Sequence, residues 1–217
     1  MATASILTSI SAKPGLTQVD GTEMATCDTL TADNQKIPLF VKARPGSTVA
    51  NTLLAQEVGN LVILTGDLQL DGDGNLPVLV LRSLCKGYPD QFLNEAAVTG
   101  RLSGQIREAE KSDSTSIAVN RMQNGAEKVD WFRIRCLGLN RERLLEAPKG
   151  ALATASGILE MRTSKENQPF VEIKTRVLHL HAKPRGHDAA EGKEAAGYAN
   201  SDFDGSDAPP MPTDWGG

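Results

Sequence analysis

The chain has 217 residues, of which 40% are hydrophobic and 23% charged. It has no run of 18 apolar residues and no basic, apolar leader, so neither a membrane-spanning helix nor a secretory signal is expected. The net charge of −4 does not exclude a polyanionic partner, because residues 93–181 carry 14 basic and 11 acidic side chains, against 6 and 9 over 1–92 and 3 and 7 over 182–217.

Residues 4–19 are short-strand material, with Ile6, Leu7, Ile10 and Leu16 interrupted by Lys13-Pro14-Gly15. Strands are expected over 23–31 and 36–44, with Asp33-Asn34 turning between them. In the second, Ile37, Leu39, Val41 and Ala43 alternate with Phe40, Lys42 and Arg44. Ser47 suits the N-cap of a helix over Thr48–Glu57, striped by Val49, Leu53 and Leu54. Leu61–Leu70 and Pro77–Leu84 form a hairpin around Asp71-Gly72-Asp73-Gly74-Asn75. That run resembles a calcium loop, but it lacks the glutamate at the twelfth position and lies between strands, which favours a turn.

Asn94–Arg107 reads as a long strand kinked at Gly100-Arg101-Leu102. Thr115–Met122 and Lys128–Leu139 follow as strands around a Gln123-Asn124-Gly125 turn. Arg141–Glu146 is a helical turn ended by Pro148 and Gly150, and Ala151–Thr163 with Pro169–His181 close a hairpin around Ser164-Lys165-Glu166-Asn167. At an offset of 91, Phe40 falls on Trp131, Lys42 on Arg133, Arg44 on Arg135, Leu53 and Leu54 on Leu144 and Leu145, and Gly66 on Gly157. The chain therefore reads as two copies of one module in the order of the OB barrel, three strands, a helix and two strands. The expected architecture is all-β: OB-fold domains over 1–92 and 93–181, then a disordered acidic tail over 182–217 that is too poor in apolar periodicity to fold.

Val129–Leu137 carries the chemistry. With period 2, Phe132, Ile134 and Cys136 share one face and Trp131, Arg133 and Arg135 the other. An exposed aromatic between cations offers a base a stacking surface and its phosphates guanidinium partners, although ring and stem can also simply pack together. Arg101, Arg121, Arg162, Lys174 and Arg176 are further candidates for phosphate contacts. In the last strand Glu172, Lys174 and Arg176 alternate with Val171, Ile173 and Val177. Phe40, Lys42 and Arg44 repeat the pattern in the first module. In the tail, Asp202, Phe203, Asp204, Asp214 and Trp215 combine acid with aromatics, either as bait for a basic, apolar pocket on a partner or as a solubilising segment.

No P-loop, GxSxG or HExxH occurs, and His179, His181 and His187 have no cysteine or carboxylate at ligand spacing. No enzyme activity, metal or cofactor is expected. Cys27, Cys85 and Cys136 lie far apart and suggest reduced thiols in the cytoplasm, with Cys136 as inward packing.

Residues 94–181 resemble the bacterial single-stranded DNA-binding protein family. The resemblance rests on Val98-Thr99-Gly100-Arg101-Leu102, Ser116-Ile117-Ala118-Val119-Asn120-Arg121, Asp130-Trp131-Phe132-Arg133, Gly138, Lys149-Gly150 and Gly157-Ile158-Leu159. It implies sequence-independent binding of single-stranded DNA in replication, recombination and repair, with recruitment of replication and repair proteins through the tail. Some bacterial members carry two OB modules per chain and pair as dimers, so a homodimer with four modules is implied. Near Leu137, Gln123 and Ser164, where the family stacks bases, this chain has no aromatic, and its tail ends in Asp214-Trp215-Gly216-Gly217 where the family ends in acidic residues, Pro and Phe. Binding is therefore expected to lean on phosphates and to weaken with salt. The competing expectation is an OB-fold assembly module with little nucleic-acid binding, and RNA remains as open as DNA.

Overall fold

The computed structural model describes residues 1–71, 75–123 and 125–181. Strands β1 (Ala2–Ile10), β2 (Gly15–Val19), β3 (Thr22–Thr31) and β4 (Pro38–Ala43) precede helix α1 (Thr48–Leu54), which is followed by β5 (Leu61–Leu70) and β6 (Pro77–Lys86). The second half runs β7 (Asn94–Leu102), β8 (Arg107–Glu108), β9 (Asp113–Gln123), β10 (Ala126–Cys136), α2 (Leu139–Glu146), β11 (Leu152–Thr163) and β12 (Pro169–Leu180). The ladders close twice. The first circuit is β1-β3-β4-β6-β5 and back to β1; the second is β7-β9-β10-β12-β11 and back to β7. In each, the helix lies between the third and fourth barrel strands, which is the OB arrangement.

Alternation builds both cores. Leu39, Val41 and Ala43 of β4 are buried, as are Phe132, Ile134 and Cys136 of β10. Each helix plugs its barrel with one leucine, Leu53 in α1 and Leu144 in α2, both at most 1% exposed. Ser47 caps α1 by accepting the Ala50 amide at 3.1 Å, as its sequence position suggests.

The barrels are joined by their first strands. β1 and β7 pair antiparallel from Ala2↔Val98 to Ile6↔Asn94. The loop before β4 also reaches across. The buried Asn94 donates to Asp33 Oδ2 at 2.8 Å and bonds both the carbonyl and the amide of Leu159, and Gln35 accepts the Met161 amide at 2.8 Å.

Several expectations need correction. The break at Lys13-Pro14 stands, since Pro14 lacks the N–H that would continue a ladder, but β1 starts at Ala2 and Gly15 already opens β2. β2 folds back on β3 through Asp20-Gly21, both at positive φ (53° and 76°), so the first module carries a hairpin beyond the OB minimum and Leu16 is 53% exposed. Helix α1 ends at Leu54 rather than Glu57. Asn94–Arg107 is interrupted after Leu102, where Gly104 takes a φ of +75°. Val177 is 54% exposed, because a bulge skips Arg176 between the pairs Ser156↔Val177 and Gly157↔Thr175, and the alternation changes phase beyond it. The 91 offset also fails in the third barrel strand. Phe40 pairs with Val78 and Arg133 with Glu172; Gly66 and Gly157, which do match at 91, index those partners through the hairpin ladders. The structural equivalents are therefore Phe40 with Arg133 and Lys42 with Arg135, while Trp131 occupies the position of Pro38. The connection from strand to helix is two residues shorter in the second module, which restores the 91 offset by α2.

Candidate nucleic-acid interface

The outer face of the second barrel is organised in rows that run across the strands. One row is Arg101–Ala118–Trp131, on β7, β9 and β10. The next is Ser116–Arg133–Glu172–Glu160, and the third passes through Ser114, Arg135, Lys174 and Ile158. Side chains directly opposite on a ladder project to the same side, so Trp131, Arg133, Arg135, Lys174 and Arg101 share one face. Ala118, 6% exposed, leaves the ring of Trp131 a small neighbour, and Trp131 itself is half-buried.

Sequence reasoning missed an aromatic in this face. Phe170, on β12 opposite Arg162, is 4% exposed yet lies outside the core cluster. The Arg133 guanidinium covers its ring at 4.2 Å from the centroid. The available signal was parity, since Phe170 alternates in phase with Glu172 and Lys174. Burial first, then Arg107, brings Arg133 down to about 10, partly opposed by Glu172, so it stays charged at neutral pH.

Sequence reasoning also missed that carboxylates hold much of this face. Arg135 bridges Glu160 and Glu172, the latter at 2.7 Å. Glu172, 3% exposed, also takes Arg162 at 3.1 Å, and Lys174 reaches Glu160 at 3.4 Å. Burial raises Glu172 above the ordinary glutamate range, although Arg135 and Arg162 pull it down. Arg121 pairs with the buried Asp130 at 2.7 Å and donates to Gln123 at 2.6 Å. Arg101 donates to the Gly150 carbonyl at 3.1 Å, and Arg176 is exposed at the bulge. The three cations Arg135, Arg162 and Lys174 are thus brought together, but around two acids.

In the first barrel, Phe40 and Lys42 are half-buried on the outer side of β4, and Arg44 is exposed just beyond its end. The tail candidates Asp202, Phe203, Asp204, Asp214 and Trp215 lie outside the described residues. Asp71 Oδ1 accepts the amides of Asn75 and Leu76 at 2.8 and 3.2 Å, which is turn chemistry. Among the described residues no three His, Cys, Asp or Glu side chains are grouped to hold a metal, and no helix is long and apolar enough to cross a membrane.

This architecture is similar to that of solved structures. A crystal structure of a deletion mutant of the single-stranded DNA-binding protein from Thermus aquaticus aligns over 87% of this chain and 98% of its own, with a TM-score of 0.61 at 14% identity. The wild-type protein from the same organism aligns over 91% and 97%, with a TM-score of 0.59 at 15% identity. The chain has the fold of these proteins. No family model matches it, and no curated protein does.

Proposed function

We propose that the chain binds single-stranded DNA without sequence preference, as a coating protein in replication, recombination and repair, and catalyses no reaction. The observation that carries this reading is the outer face of β7, β9 and β10, where Trp131 offers a stacking surface on the same face as Arg101 and Arg133, on a fold shared with single-stranded DNA-binding proteins. Phe40, Lys42 and Arg44 give the first barrel a smaller counterpart. The division into domains 1–92 and 93–181, the homodimer of four barrels, the cytoplasmic location and recruitment of partners by the acidic tail belong to the same proposal.

A second reading, an assembly module with weak nucleic-acid binding, draws on Glu160 and Glu172, which hold the cations a phosphate would need. Fluorescence titration with oligo-dT of ~35 nucleotides separates the two. Trp131 and Trp215 are the only tryptophans, so a Trp215→Phe chain isolates the first. Quenching with affinity that falls as salt rises supports the single-strand reading. No quenching and no binding at low salt moves the assignment to the assembly module, and binding that Trp131→Ala with Arg133→Ala leaves unchanged removes Trp131 and Arg133 from the site on which the single-strand reading rests.

A further inference from the structure

The β9–β10 hairpin extends beyond its own barrel and overhangs the outer face of the first. Its residue Gln123 donates to Asp20 Oδ2 at 2.7 Å, which fastens the arm to the β2–β3 turn. Under the arm runs a cleft of about 650 Å³. Lys42, Arg44 and Arg82 line it from the first barrel with Val80, and Arg121 and Met122 from the arm. Arg82 is held by Asp67 at 2.6 Å and Arg121 by Asp130, but among the described residues Lys42 and Arg44 make no direct ion pair. Lys42 is half-buried. Burial depresses its ammonium, and Arg121 and Lys128 push the same way against Asp20 and Asp130. Cations crowded in a partly desolvated cleft repel one another, and an anion placed among them relieves both costs. Val80 and the 69% exposed Met122 add apolar surface beside this charge.

We propose that this cleft holds the phosphodiester backbone of a nucleic-acid strand on the first barrel, and that Arg121 from the second barrel completes the site. The proposal rests on the single-strand reading above and deepens it: the two outer faces become one continuous track, closed at the crossing by the arm. Phosphate contacts by Lys42, Arg44 and Arg121 give the crossing its affinity, and Met122 borders the passing bases.

The test titrates the full chain and its Lys42→Gln, Arg44→Gln double variant with oligo-dT of ~12 and ~35 nucleotides. The wild type is expected to bind the longer strand at least ~10-fold more tightly than the shorter. The variant is expected to lose most of that gain, and its salt slope for the longer strand to fall by about 1. As a check that involves no substitution, a ~35-nucleotide strand whose central linkages are neutral methylphosphonates should lose affinity for the wild type. A variant that keeps the full gain, or a wild type indifferent to the neutral linkages, overturns this site while leaving the single-strand reading standing. A wild type that binds neither length overturns both.

Discussion

Ala4 and Ala96 face each other across the β1–β7 ladder, each 3% exposed, and each is also opposite a bulge glycine of its own barrel, Gly66 and Gly157 respectively. Equivalent residues of the two modules therefore pair with one another, so a local two-fold axis passes between these alanines.

The glycines at this junction have no room to grow. A Cβ on Gly157 would lie 2.0 Å from the Lys174 carbonyl oxygen, and one on Gly66 2.2 Å from that of Val80. Gly157→Ala is expected to destabilise the fold by about 1–3 kcal/mol through overpacking against backbone. Thermal unfolding checks this; an unchanged midpoint would show that the ladder yields at little cost.

Trp131→Ala removes the ring and leaves the backbone ladder in place. The expected loss of oligo-dT affinity is roughly 5- to 150-fold, from the ~1–3 kcal/mol of a base stack. Titration at fixed salt gives the number directly.

The cation over Phe170 is expected to couple to it. Arg133→Met and Phe170→Leu, made singly and together, should show non-additive losses of stability of about 0.5–2 kcal/mol. Denaturant unfolding of the three variants measures the difference, and strict additivity would mean the contact contributes nothing.

The carboxylates on the outer face compete with phosphate for the same guanidinium groups. Glu160→Gln is expected to raise oligo-dT affinity by about 3- to 10-fold and steepen its salt dependence. The wild type should respond to pH in the same direction. Glu172 has a raised pKa, so as pH falls through it the side chain takes up a proton and releases its claim on Arg135 and Arg162. Affinity for oligo-dT is expected to rise as pH falls across that range. The same shift makes Glu172's share of stability fully present below the unfolded-state glutamate pKa, and that share is lost as pH rises through the folded-state value. Titrations at stepped pH and constant ionic strength test the binding arm.

Cys85 is exposed, while Cys27 and Cys136 are buried with thiols pushed up to about 11 by burial first and by Asp28 and Asp113 respectively. A thiol reagent at neutral pH should label one cysteine quickly and the other two only on unfolding. Fast labelling of two or more would mean that a barrel opens readily.

Much of this was legible in the residues. Strict alternation in β4 and β10 gave the inward and outward faces, and Ser47 and Asp33 announced their cap and turn because each side chain bonds its own backbone nearby. Local signals did not carry the β1–β7 pairing, which joins residues more than 80 positions apart, nor the two-residue shift that sets Phe40 against Arg133. The face of Trp131 was visible, and so was the outward side of Glu172; the ion pairs around Arg135 were not, because Glu160 and Glu172 arrive from other strands and only the ladder register brings them there. Asp20-Gly21 is a hairpin signal of the same local kind, both residues taking the positive φ that the β2–β3 turn requires.

Because the first strands of the two barrels pair within one polypeptide, their association does not depend on protein concentration. Two separate barrels held by the same five-residue ladder would come apart on dilution, whereas the 87–93 connector keeps the local concentration of each near the other high. The two outer faces therefore stay at a fixed spacing even when the protein is scarce, and a ligand long enough to engage one is already within reach of the second.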